Sequence, residues 1–172
     1  MVSPEYYVHV STEIPVELVK EWAMKGIIVS ANKPFATAKA DLQQFEVLDS
    51  LVYLDCASKF AGLSPQGENL VLVDNPGNLT ELEICITKSI GNSSVRRFLV
   101  FDSLTTLLIY NKEKELTMFA HKLGLRLKSI RMTTFFLMVE QETTKEMLKF
   151  LSTIVDKIVH LCVNKEGEVF IE

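Results

Sequence analysis

The chain has 172 residues with a formal net charge of −4, and 48% of them are hydrophobic. This length suits one domain with a substantial core, and the modest acidity gives no electrostatic footprint for nucleic acid. No apolar run reaches the ~18–20 residues of a membrane span, and the start MVSPEYYVHV has neither a basic segment nor a cleavage site, so a cytoplasmic protein away from membranes is expected. Cys56, Cys85 and Cys162 stand apart without a CxxC pair, which argues for reduced thiols rather than disulfides or a zinc site.

Taken in order, Tyr6 to Ser11 reads as a strand, and PVELVKEWAMKG as a helix with Val16, Val19 and Ala23 on one stripe. Pro15 suits its first turn and Gly26 its stop. Ile27 to Ser30 is a short apolar strand, and a second helix starts near Pro34. Leu51 to Asp55 and Leu70 to Val73 read as strands separated by a loop. TELEICITKSIG is a helix with Asn78 or Thr80 as cap and Gly91 as terminator. A strand at Phe98 to Phe101 leads to a long helix ending near Ile130. Then come a strand at Thr134 to Val139, a helix at Lys145 to Asp156 and a strand at Ile158 to Val163. NKEG turns the chain into a last strand, Glu168 to Ile171, closing an antiparallel hairpin. The alternation predicts one α/β domain over residues 1–172, with a mostly parallel sheet between helical layers. FLVF and FFLMV are apolar at every position, as strands covered on both faces must be.

In such a sheet ligands gather at the carboxyl ends of the strands. The residues there are Ser11, Thr12, Glu13, Asn32, Asp55, Asp102, Ser103, Glu140 and Gln141. Asp102 has the form of an aspartate that holds magnesium at a phosphate site. Its other reading is a helix cap accepting amides of the LTTLL turn. A phosphate site also needs a glycine-rich loop ending in Lys-Ser or Lys-Thr, because the backbone must wrap the anion with its N–H groups. VHVSTEIPVELVKEW has no glycine, and no Gly-Lys pair occurs anywhere. His9 and His160 fall in apolar segments and read as core histidines; no GxSxG elbow supports a hydrolase. The basic residues of HKLGLRLKSIR lie in the last turns of a helix and read as a solvated face.

IIVSANKPFATAKADLQQFEVLDSLVYLDCAS, NPGNLTELEICITKSI and RFLVFDSLTTLLIY together resemble the RecA superfamily in its KaiC-like branch. The likeness is greatest to divergent archaeal members without the phosphate loop. It implies a three-layer α/β/α fold of the P-loop NTPase kind, with the strand at Val8 central, those at Phe136 and Val159 beside it, and those at Val100, Val29 and Val52 beyond. Asp102 then matches the metal-strand aspartate and is the one candidate metal ligand. The general-base position falls at Asn32, whose amide cannot take a carboxylate's part. The expectation is a degenerate ATPase with no ATP or magnesium cofactor, acting as an interaction or regulatory protein. Its partner would be a second copy or an ATPase. The alternative is a nucleotide or small-ligand binder using the crevice of Ser11, Thr12, Asn32, Asp102, Ser103 and Gln141.

Overall fold

The structure, a computed structural model, describes residues 7–91, 96–139, 142–163 and 169–171. Five parallel strands form the main sheet: β1 (Lys25–Ser30), β2 (Leu51–Asp55), β3 (Leu70–Leu72), β4 (Arg97–Asp102) and β5 (Thr133–Phe136), in the order β3-β2-β1-β4-β5. The helices are α1 (Tyr7–Lys20), α2 (Phe35–Gln43), α3 (Leu79–Ile90), α4 (Glu113–Ser129) and α5 (Lys145–Leu151). Strands β6 (Leu161–Val163) and β7 (Val169–Ile171) form a separate antiparallel hairpin.

Strand alternation sorts the side chains into two cores. Ile27, Val29, Leu54, Leu99 and Phe101 face α3, α4 and α5, where Leu82, Ile86, Leu123 and Leu127 are fully or almost fully buried. Ile28, Tyr53, Phe98 and Val100 face α1 and α2, meeting Tyr7, Val10, Phe35 and Leu42. Each fully buried aliphatic side chain contributes about 1.5–3 kcal/mol, so the two-faced strands β1 and β4 anchor the fold. Gly26 is required by this packing: a Cβ there would lie 2.1 Å from the Phe98 ring.

The three-layer α/β/α expectation holds, and so do β1, β2, β4, the hairpin and the starts of α2, α3 and α5. Asn78 caps α3, accepting from the Glu81 amide at 3.1 Å. Several expectations do not survive. From Tyr7 onward the segment expected as the first strand is helix, with Pro15 inside it rather than at its first turn. Gly26 lies in β1 and stops nothing; α1 ends at Lys20. No strand at Val8 enters the sheet, and β1 is its central strand. The strand at Thr134 lies at an edge, and the segment near Val159 joins the main sheet nowhere. The helix after Asp102 is broken into a 3-10 turn at Thr105–Ile109 and α4. Tyr6 of the expected first strand and the expected NKEG turn of the hairpin both lie outside the described residues.

Candidate functional site

Three parallel strands end side by side, with Ser30 in register with Asp55 on one flank and with Asp102 on the other. Because parallel strands point one way, their terminal side chains converge at one edge, where α1 and the loop after β1 close over them. The Ala31 amide donates to the Asp102 carbonyl at 2.6 Å, holding that loop against β4.

Asp102 is buried, and the Tyr7 hydroxyl at the start of α1 donates to its Oδ1 at 2.5 Å. Burial pushes the Asp102 carboxyl above the usual carboxylate range. The Tyr7 hydroxyl, the Lys33 ammonium and the Asn32 side-chain amide all oppose that rise. The same burial, reinforced by the Asp102 charge, drives the Tyr7 phenol far upward, so it stays a donor at every physiological pH. Lys33 Nζ contacts Asp41 Oδ2 at 3.1 Å and Thr12 Oγ1 at 3.4 Å, tying α1, the loop and α2 together. Tyr53 donates to the Lys33 carbonyl at 2.9 Å, and Ser30 Oγ accepts the Lys33 amide at 3.1 Å. The Asp102–Ser103 peptide is cis.

Of the residues expected here, Asn32 meets the Asp102 carboxyl directly, Ser103 meets the Tyr7 hydroxyl that holds it, and Thr12 contacts Lys33, whose charge acts on Asp102. Ser11 is buried on α1, one residue from Thr12. Gln141 and Glu140 lie outside the described residues. Glu13 is on an exposed face of α1, 3.0 Å from His9, and ends no strand. His9 is accordingly exposed rather than a core histidine. Asp102 is not the cap of the turn that follows it. Ser103 is, accepting the Thr106 amide at 3.1 Å and contacting the Thr106 hydroxyl at 2.7 Å. Asp102 points instead at the start of α1, in the segment that the sequence suggests is a strand.

Tyr7 and Lys33 were missed. Lys33 stands in the NKP stretch singled out for its family likeness, and a lysine beside a strand-end aspartate was the available signal. For Tyr7 the signal was helical: Tyr7, Val10, Ile14 and Leu18 fall at helix spacing, and all pack on the α1–α2 face.

The donor set does not fit a magnesium ion. Of the two strand-end carboxylates, Asp55 is taken up by four hydrogen bonds within the chain, one oxygen of Asp102 is held by a phenol, and a lysine ammonium stands near. Among the described residues no three His, Cys, Asp or Glu side chains cluster as metal ligands. The basic stretch of α4 is occupied with ion pairs: Lys122 and Arg126 with Glu83 at 2.9 and 3.7 Å, and Lys128 with Asp156 at 2.5 Å. No helix among the described residues is long and apolar enough to cross a membrane.

No protein-family profile matches the chain, and no curated protein matches it. Solved structures do. A KaiC-like protein, PH0186, from the hyperthermophilic archaeon Pyrococcus horikoshii superposes with a TM-score of 0.65 at 14% identity, over 99% of this chain and 74% of that one. An uncharacterized protein from the same organism, PH0321, solved in complex with an unknown peptide, gives 0.61 at 12% identity, over 94% and 76%. At such identities the likeness is one of fold, and the fold of this chain is RecA-like α/β/α.

Proposed function

We propose that this chain is a non-catalytic RecA/KaiC-like domain that acts as an interaction or regulatory protein and does not hydrolyse ATP. One observation carries the reading. The aspartate in the metal-strand position, Asp102, is engaged from within the chain by the Tyr7 hydroxyl of α1. The sequence supports it in having no glycine-rich phosphate loop, and so does the family resemblance, which puts Asn32 where a general base would be needed. In this reading the protein is a divergent, archaeal-type member of its group that works in the cytoplasm. Its partner is another copy or an ATPase, not nucleic acid or membrane, and it carries no ATP or magnesium. Exposed apolar side chains favour such contacts, among them Ile109 at 75% exposure and Met118 and Phe150 beside a groove of about 460 Å³.

The test is magnesium-dependent ATP turnover by the purified chain, and none above buffer is expected. Turnover in the wild type that disappears in Asp102→Ala would overturn the reading.

A second reading is a nucleotide or small-ligand binder using the same crevice. It is favoured by the exposed Asn32 beside a buried Asp102 and a nearby Lys33. Calorimetric titration with ATP and magnesium separates the two: micromolar binding heat without turnover would select the second.

A further inference from the structure

At the opposite end of the sheet, where the strands begin, a cleft of about 180 Å³ opens between the first residues of β1, β2 and β4 and the last turn of α3. Lys25 and Arg97 line it, in register on adjacent parallel strands. In-register side chains project from the same face of a sheet, and neighbouring strands are only ~4.8 Å apart. Two cations are therefore set side by side, an arrangement that is unfavourable by itself. None of the ion pairs among the described residues involves either of them. The Arg97 Nε–H is buried and has no hydrogen-bond partner among the described residues. A buried guanidinium N–H left unpaired is costly, and such a group in a cleft calls for a ligand or ordered solvent. Ser50, the last residue of the 3-10 turn that leads into β2, stands one residue before the Gly26–Leu51 pair, and Asn69 completes the polar wall. The one acid in the lining is Asp49.

We propose that this cleft is a binding site for a small oxyanion of the phosphate or sulfate type, held by Arg97 and Lys25 with Ser50 as a further donor. A dianion neutralises both cations at once, and the planar fork of Arg97 offers the Nε–H that is otherwise unused. The site is separate from the Asp102 crevice, which lies at the far end of the same strands, and it does not depend on the function proposed above.

The experiment is a titration of the isotope-labelled chain with inorganic phosphate, followed by amide proton–nitrogen correlation spectra, with sodium chloride at matched ionic strength as control. Saturable shifts centred on the amides of Lys25, Ser50 and Arg97 are expected, with half-saturation below about 10 mM. Arg97→Gln should weaken binding by about tenfold or more, and Lys25→Gln by a smaller factor. Lys25 is exposed, so its variant folds and serves as the test if Arg97→Gln does not. Parallel titration with sulfate and with acetate separates a tetrahedral oxyanion from any carboxylate. Absence of saturable shifts, shifts centred on Asn32 and Asp102, or a Lys25→Gln variant that binds phosphate as tightly as wild type would overturn the proposal.

Discussion

Asp55 and Asp102 end strands on either side of β1, each in register with Ser30, yet they are wired differently. Asp55 is completely buried and accepts four hydrogen bonds, from the amides of Phe35, Ala57 and Ser58 and from the Ser58 hydroxyl, at 2.6–2.9 Å. Every partner lies within 20 residues along the chain, and the Phe35 bond fastens the N-terminus of α2 to β2. Asp102 receives a phenol from a helix 95 residues away, with Asn32 and Lys33 close by, and no backbone amide among the described residues donates to its carboxylate. An aspartate satisfied by local amides holds a loop. One satisfied by a distant side chain ties a helix to the sheet, and it is at Asp102, not Asp55, that a ligand would have to displace such a partner.

The contrast can be broken most severely at Asp55. Asp55→Ala strands three amides and a hydroxyl in the core and should cost about 3 kcal/mol or more, read from urea unfolding. Tyr7→Phe should cost less, about 1–2 kcal/mol, because it removes one donor and leaves the carboxyl's other neighbours. Ser103→Ala, which removes the true cap of the turn after β4, should cost about 1 kcal/mol. Asp102→Asn keeps an acceptor for the Tyr7 hydroxyl and sheds a buried charge, so its cost at neutral pH should be the smallest, within about 0.5 kcal/mol of wild type. A loss at Asp102→Asn as large as that of Asp55→Ala would erase the distinction between the two carboxylates.

Titration sharpens it further. The Asp102 carboxyl lies above its ordinary value of 3.8, so the folded chain holds that proton more tightly than the unfolded chain does. Its contribution to stability is therefore fully present below pH 3.8 and is lost as the pH rises through the raised value. Relative to Asp102→Asn, the wild type should lose stability across that window. In Tyr7→Phe the loss should extend to higher pH, because the hydroxyl opposing the rise is gone. A stability difference between wild type and Asp102→Asn that does not change with pH would contradict the burial of this carboxyl as the cause.

Much of this was legible in the sequence, for local reasons. Short apolar runs followed by Ser-Ala-Asn-Lys-Pro or Asp-Cys-Ala-Ser are strands with stop signals, and an Asn before Leu-Thr-Glu marks a cap whatever the tertiary context. YYVHV misled because it alternates over so few residues that strand and helix spacing coincide. Pro15 then drew the helix start too far along, although a helix of 14 residues held by packing at Tyr7 and Val10 tolerates it. FFLMV reads as a central strand because both its faces are covered, Phe135 by the α1–α2 core and Phe136 by the other, yet β5 lies at an edge. Coverage of the faces is written in the residues, and strand neighbours are not. The site followed the same rule: Asp102, Ser103 and Asn32 were visible as strand ends, whereas Tyr7 became a partner of Asp102 only once its segment proved to be a helix.

The central claim is that Asp102 is satisfied from within and holds no magnesium nucleotide. Its most direct test is a thermal melt of wild type and Asp102→Asn, each with and without ATP and magnesium, because a ligand bound to the folded state raises the melting temperature in proportion to its occupancy. No ligand-dependent shift is predicted in either chain. A magnesium-dependent stabilisation present in wild type and absent from Asp102→Asn would contradict the account and make this strand a working nucleotide site.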